Sequence, residues 1–113
     1  QYYSVQVEQI KEIHDLLVQN LDKRFTIEAL SKQYLMNTSS LKSIFKAVYG
    51  QPIASYMKEY RIRQAMELLR STNDSIAAIA KGLSYENQGK FTKAFKDIVH
   101  IAPTEYRRHY KND

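Results

Sequence analysis

The chain has 113 residues, the length of one domain or of two very small domains that share a helix. Its 43% of hydrophobic residues excludes a disordered tail, and its low counts of three Gly and two Pro favour an all-helical protein. The net charge of +5 is uneven, because residues 1–23 carry a balance of −2 and the rest +7, which fits a polyanion-binding surface or an ordinary basic protein.

The first half of the chain predicts three helices separated by polar turns. Apolar residues at helical spacing indicate a helix over residues 7–20. Thr26 and Asn37 suit the capping positions of a second and a third helix, and Gly50 is a natural stop for the third. The apolar residues expected on the buried sides are Ile10, Ile13, Leu17, Leu21, Ile27, Leu30, Leu41, Ile44, Phe45 and Val48.

A long helix is predicted from Pro52, which suits a first helical turn, to about Ser71. A helix of about 20 residues spans roughly 30 Å, and successive major-groove segments on one face of DNA lie about 34 Å apart. If the chain binds DNA, a linker of this length can hold two DNA-binding helices one turn apart, over roughly 20 base pairs. The apolar positions expected in the linker are Ile53, Tyr56, Met57, Tyr60, Ala65, Met66, Leu68 and Leu69.

The second half predicts three more helices. Ser75 takes the capping role of Thr26, Phe91 and Phe95 mark a following helix, and Pro103 opens a last one. The predicted fold is thus all-α, with about seven helices in a homeodomain-like arrangement. We predict a first helix-turn-helix subdomain over residues 1–51, a linker helix over 52–71 and a second helix-turn-helix subdomain over 72–113.

The two halves contain an internal repeat. A shift of 49 residues aligns Thr26 with Ser75, and one extra residue in the second turn changes the shift to 50. The aligned pairs are Ile27 with Ile76, Leu30 with Ile79, Ser31 with Ala80, Lys32 with Lys81, Leu41 with Phe91, Phe45 with Phe95, Lys46 with Lys96, Val48 with Ile98 and Tyr56 with Tyr106. Small residues such as Ser31 and Ala80 allow two helices to cross closely, which is typical of a helix-turn-helix.

These residues resemble the DNA-binding domain of the AraC/XylS family of transcription regulators, over nearly the whole chain to Arg107. The motifs that carry the resemblance are Tyr56-Met57, Arg61-Ile62, Ala65 and Leu68-Leu69, then residues 75–80, Phe91, Phe95-Lys96 and residues 103–107. The chain departs from the family pattern at Leu35, Ser84 and His100, where glycine is usual. A positive φ costs more without glycine, so we expect slightly altered turns there. Gly89 is expected to weaken the second recognition helix locally.

Outward positions of the two recognition helices are the candidate DNA contacts. The resemblance implies base contacts from Ser39, Lys42 and Ser43, and the corresponding second surface is formed by Gln88, Lys90, Thr92 and Lys93. Lysine can donate to guanine and Gln88 can bind adenine through two hydrogen bonds. The predicted contacts to the DNA backbone are Ser40, Lys46, Asn87, Lys96, Arg107 and Arg108, with Arg107 and Arg108 equally well explained as tail charge. Arg61 is assigned a structural role, and most tyrosines are assigned to the core.

The resemblance implies sequence-specific binding of double-stranded DNA and regulation of transcription, more often activation, with RNA polymerase as a partner. It also implies an effector or dimerisation segment outside this chain, which lacks an initiator Met and is expected to be part of a longer protein. The isolated domain is expected to be monomeric and cytoplasmic. The alternative is a helical protein-interaction module with a basic face.

Other functions find little support. The three histidines have no ligand-like spacing, His14 is expected at the surface, and neither a catalytic triad nor a phosphate-binding glycine loop is visible. We therefore predict no enzyme, no metal and no cofactor. The lack of cysteine excludes disulfides and thiolate metal sites, and no apolar run approaches the roughly 20 residues of a membrane span.

Overall fold

A computed structural model describes residues 4–112, and over this range the chain forms α-helices joined by short turns. The helices are α1 (Ser4–Val18), α2 (Ile27–Tyr34), α3 (Thr38–Tyr49), α4 (Ile53–Ser71), α5 (Ile76–Gly82), α6 (Gln88–Val99) and α7 (Pro103–Tyr110). The predicted all-α class is confirmed. The chain divides after Met57 into two compact units, so α4 gives its first turn to the first unit and the rest to the second.

The first unit has one apolar core, to which α1, α2, α3 and the start of α4 contribute. Its buried residues are Ile10, Ile13, Leu17, Leu30, Met36, Leu41, Ile44, Phe45 and Met57. Leu21, Ile27 and Val48, which were expected on the buried sides, are half-buried and pack against this core. Because these side chains come from four helices, burial of their apolar surface holds α2 and α3 in place.

The second unit repeats this core with a helix that the sequence comparison did not align. The buried residues Ile10, Ile13 and Leu17 of α1 correspond, at a shift of 52, to the buried Ile62, Ala65 and Leu69 of α4. The correspondence extends to the end of each helix. There the side chains of Asn20 and Thr72 donate to the carbonyl oxygens of Leu16 and Leu68, at 2.8 and 2.7 Å. The duplication therefore includes the helix that precedes each helix-turn-helix.

Side-chain caps begin the helices of both repeats. The hydroxyls of Thr26 and Ser75 each accept a hydrogen bond from the amide three residues later, at 3.0 Å. The Oδ1 atoms of Asn37 and Asn87 do the same at 2.8 Å. Each cap satisfies an amide that has no partner within its helix. The capping roles predicted for Thr26, Asn37 and Ser75 are confirmed, and Asn87 proves to be the equivalent of Asn37.

An aromatic pair recurs at the same position in each unit. The rings of Phe45 and Tyr56 lie 5.5 Å apart at 79°, and those of Phe95 and Tyr106 lie 5.6 Å apart at 71°. Edge-to-face contacts of this kind stabilise by about 0.5–1.5 kcal/mol beyond burial. Each pair fastens the recognition helix to the helix that follows it.

Left-handed backbone occurs at the three positions where the family pattern has glycine. Among residues 4–112, the non-glycine residues with positive φ are Leu35 (54°), Ser84 (66°) and His100 (73°). His100 ends α6 as Gly50, with φ of 85°, ends α3. The chain thus keeps the backbone conformation that glycine favours, and the Cβ atom of each of the three residues makes it costly.

His100→Gly is expected to raise the free energy of unfolding by up to about 1 kcal/mol, because glycine adopts positive φ without a steric penalty. The repeat provides the matched control. A Cβ at Gly50 would meet no atom within 4 Å, so the cost of Gly50→Ala comes from φ alone and is expected to be about 1–2 kcal/mol. Urea unfolding of both variants measures the effect. Destabilisation by His100→Gly would contradict this account.

Ser31 and Ala80, the small residues predicted at the helix crossings, lie on α2 and α5, which contact α3 and α6. Ala80 is 2% exposed. The hydroxyl oxygen of Ser31 is buried and has no hydrogen-bond partner within residues 4–112. The role of Ser31 and Ala80 at the crossings stays a prediction. The first unit also bears the cost of a buried polar atom that lacks a partner.

Ser31→Ala is expected to stabilise the first unit by about 1 kcal/mol, since it removes the unpaired hydroxyl and improves helix propensity. The reverse change at the equivalent position, Ala80→Ser, should destabilise the second unit by a similar or larger amount. Thermal unfolding of both variants provides the measurement. If Ser31→Ala lowered the melting temperature, the hydroxyl would have to make a stabilising contact.

His14 was expected at the surface, and the structure corrects this. Its side chain is only 16% exposed. The ring stacks on Tyr49 at 4.4 Å, and Nε2 lies 2.8 Å from the Tyr56 hydroxyl. Burial raises the pKa of Tyr49, and the neighbouring Asp15 carboxylate adds to the rise. His14 therefore joins α1 to the end of α3 and the start of α4.

Candidate nucleic-acid interface

The exposed side of α3 carries the first predicted set of contacts. Ser39, Lys42, Ser43 and Lys46 are exposed, whereas Ser40 is half-buried. The Ser43 hydroxyl donates to the Ser39 carbonyl oxygen at 2.8 Å. Its proton is therefore occupied within the helix, and its lone pairs are left to accept from a base amino group. This surface is polar and basic and bears no carboxylate.

Lys42 and Lys46 form no ion pair with any of residues 4–112. They lie beside a groove of about 480 Å³ whose other lining residues are Ile27, Ser43, Pro52, Ile53 and Ala54. The groove is mostly apolar, and the two ammonium groups make its edge attractive to an anionic ligand.

The exposed side of α6 carries the second set. Gln88, Lys90, Lys93 and Lys96 are exposed, and Thr92 is half-buried. Asn87, predicted as a backbone contact, is exposed and caps α6 through Oδ1. Lys96 stands at the repeat position of Lys46 and, like Lys46, forms no ion pair within residues 4–112. Both recognition helices therefore present one free ammonium group at the same register.

The other two lysines of this surface, Lys90 and Lys93, form ion pairs with carboxylates. Lys90 Nζ lies 3.2 Å from both oxygens of Glu86, and Lys93 Nζ lies 3.6 Å from Asp97 Oδ2. Asp97 also accepts from Lys58 at 2.9 Å. This hydrogen bond is the main cause that holds the pKa of Asp97 below its usual value, and the charges of Lys58 and Lys93 add to it.

The structure gives Arg107 a structural contact that the sequence analysis did not anticipate. Its guanidinium donates to the carbonyl oxygens of Leu69 and Thr72, at 3.2 and 3.3 Å, at the end of α4. Such a cation satisfies carbonyls that have no partner within the helix and complements the helix dipole. The predicted phosphate contact of Arg107 stays a prediction. Arg108 is exposed on α7.

Two other arginines are engaged inside the second unit. Arg70 donates to the Tyr106 hydroxyl at 2.7 Å and also pairs with Glu67. These contacts, Tyr106 first, raise the pKa of Arg70. Arg61 is 4% exposed, in agreement with the structural role assigned to it.

Within residues 4–112 no group of three or more His, Cys, Asp or Glu side chains is placed to hold a metal ion, and no helix there is apolar and long enough to cross a membrane.

Comparison with known proteins places this geometry in context. A family model described as a helix-turn-helix domain matches residues 30–109. The HTH-type transcriptional activator RhaR of Mannheimia succiniciproducens is 29% identical over 104 residues, which cover 92% of this chain and 38% of RhaR. The chain spans about a third of the length of the curated relatives that it matches first.

Solved structures share the fold. The DNA-binding domain of AdpA in complex with a target DNA superposes with a TM-score of 0.84 at 20% identity, covering 89% of this chain and 91% of that one. A Chromobacterium violaceum transcriptional regulator, described as AraC-type DNA-binding domain-containing, gives 0.80 at 21% identity, covering 91% and 92%. The helical fold formed by residues 4–112 is therefore shared with solved structures.

Proposed function

The chain belongs to the AraC-type family of helix-turn-helix transcription regulators, and from this premise we propose how it acts. It binds double-stranded DNA sequence-specifically, with α3 and α6 in successive major grooves. The observation that carries the proposal is the structural equivalence of α3 and α6. Both begin at an Asn cap, rest on a buried Phe and present an unpaired lysine, Lys46 or Lys96, at the same register.

The exposed residues divide into two chemical roles. Lys42, Ser43 and Ser39 on α3, and Gln88, Lys90, Thr92 and Lys93 on α6, are the proposed base contacts. Lysine and glutamine distinguish guanine and adenine by their donor and acceptor atoms. Lys46, Lys96, Ser40, Asn87, Arg107 and Arg108 are the proposed contacts to the DNA backbone, which position the helices without reading sequence.

The length of α4 supports contact with two successive grooves. Its 19 residues span roughly 28 Å at 1.5 Å per residue, close to the 34 Å between major-groove segments on one face of DNA. We propose that the bound site contains two unlike motifs about one turn apart, because the two recognition surfaces carry different residues.

The proposed outcome of binding is activation of transcription, since RhaR, which matches most of this chain, is named an activator. RNA polymerase is the proposed protein partner, and a further segment of a longer protein is proposed to sense an effector or to dimerise. The proposed location is the bacterial cytoplasm, where the domain would bind chromosomal promoters. The domain itself acts by binding, without a chemical step.

The test is selection of bound sequences from a random duplex pool, followed by affinity measurements at several salt concentrations. We expect two motifs separated by about 10 base pairs and an affinity that falls steeply with salt, with a slope near −0.9 per neutralised phosphate. A chain that selects no sequence, or whose binding does not respond to salt, would contradict the proposed function.

A further inference from the structure

A row of charged residues lies along α6 and the residue before its cap. Lys90, Lys93 and Asp97 are three and four residues apart on one face of α6, and Glu86 precedes the helix and reaches Lys90. Their contacts join them in two ion pairs, Glu86 with Lys90 and Lys93 with Asp97. Two carboxylates therefore lie beside Lys90 and Lys93 on the surface proposed to contact DNA.

The first unit has no such row. At the repeat shift of 50, the equivalent positions on and before α3 hold uncharged residues, which are Met36, Ser40, Ser43 and Ala47. The adjoining positions of the two helices are alike, because Lys46 and Lys96 correspond and both are unpaired. The difference between the units is therefore an added set of lysines together with the carboxylates that pair with them.

The Asp97 carboxylate contacts two lysines, whereas a typical surface ion pair has one. It accepts from Lys58 of α4 at 2.9 Å while Lys93 approaches to 3.6 Å. Two cations on different helices favour its charged form, so Asp97 is an anion in the neutral pH range. An anion on this face repels phosphate, so other contacts must outweigh the repulsion before α6 can bind DNA.

We propose that Glu86 and Asp97 are specificity-determining residues, which hold Lys90 and Lys93 in ion pairs that DNA must replace before α6 can bind. This inference rests on the proposed function. An unpaired lysine gains affinity from the phosphates of any duplex, whatever its sequence. With Lys90 and Lys93 held in ion pairs, α6 gains less from phosphate alone and depends more on hydrogen bonds to the correct bases.

The test compares Glu86→Gln and Asp97→Asn with the unmodified chain, using fluorescence anisotropy on two labelled duplexes. One duplex carries the sequence selected from the random pool, and the other is a scrambled duplex of the same composition. Each variant should bind the scrambled duplex about three- to ten-fold more tightly, and the selected duplex with a smaller gain. The salt slope on the scrambled duplex should steepen by up to about one unit per freed lysine.

Glu59→Gln is the matched control. Glu59 forms an ion pair with Arg63 at the same spacing of four residues, but on α4. The change alters the net charge by the same amount, so any effect of total charge will appear in it as well. We expect less than a two-fold change in affinity for either duplex. Circular dichroism of each variant verifies that the substitutions leave the helices intact.

The outcomes separate the inference from the function. If Glu86→Gln and Asp97→Asn behave like Glu59→Gln, or tighten binding equally on both duplexes, the specificity role is wrong. If the unmodified chain shows no salt-dependent binding to either duplex, the proposed function itself fails.

A second comparison tests the same point with lysines. Lys90→Gln should lower affinity for the scrambled duplex less than Lys96→Gln does, because Lys90 is already paired with Glu86. Equal losses for the two variants would overturn the inference.

Discussion

Phe95→Ala is expected to lower the free energy of unfolding of the second unit by about 3–5 kcal/mol. Phe95 is fully buried and contacts the rings of Phe91 and Tyr106, with centroids 5.9 and 5.6 Å away. A unit of this size has a small core, so a loss of this magnitude approaches its whole stability. Urea unfolding followed by circular dichroism, with amide NMR spectra to locate the loss, measures the effect.

The same variant should lose contact with one half of its DNA site. Without Phe95, α6 has no fixed position on the second unit, whereas the core around Phe45 is unchanged. We expect the variant to respond to scrambling of the first selected motif but no longer to scrambling of the second. The matched variant Phe45→Ala should show the reverse pattern. Undiminished sensitivity to both motifs in the Phe95 variant would show that α6 does not read DNA.

Helix ends and core positions were predictable because their causes are local. A cap requires a Ser, Thr or Asn three residues before a free amide, and Thr26, Asn37 and Ser75 stand at such positions. The buried faces of α1, α3 and α6 follow from helical spacing. The conformations of Ser84 and His100 were predictable only through the family pattern, since serine does not favour a positive φ and histidine, although enriched there, adopts it in only a minority of cases.

The duplication was harder to recognise at its beginning. Its shift is 52 residues for α1 and α4 but 49 for α2 and α5, because the connection between these helices is shorter in the second unit. The alignment also pairs Ile13 with the much smaller Ala65. Ile62 is buried in α4, but it was named only in a motif that resembles the AraC/XylS family and was absent from the list of expected apolar positions. Only packing reveals which face of this long helix is buried.

Contacts between distant residues could not be predicted from spacing. Arg107 reaches the end of α4 from 35 to 38 residues away, and His14 meets Tyr56 across 42 residues. Neither contact belongs to a periodic pattern, and both depend on how the helices pack. The ion pairs of Lys90 and Lys93 are different, since the four-residue spacing to Glu86 and Asp97 was visible in the sequence. From that spacing the sequence analysis could have predicted that both lysines form ion pairs on the surface proposed to contact DNA.

Lys42→Ala is expected to cost about 1–3 kcal/mol of binding free energy on the selected duplex and to relax the preference at one base pair of the first motif. Lys42 is exposed and unpaired on α3, so its removal leaves the fold intact while a base-edge donor is lost. Repeating the selection with the variant identifies the base pair that loses its preference, and anisotropy gives the change in affinity.

Lys46→Ala separates the phosphate role from the base role on the same helix. It should weaken binding roughly five-fold on every duplex and reduce the salt slope by about one, without changing the selected motif. Lys11→Ala, which removes an exposed lysine from α1, serves as the control for net charge and should have little effect. A direct base contact and a phosphate contact respond differently to sequence and to salt. If neither Lys42→Ala nor Lys46→Ala altered binding, α3 would not be the first recognition helix.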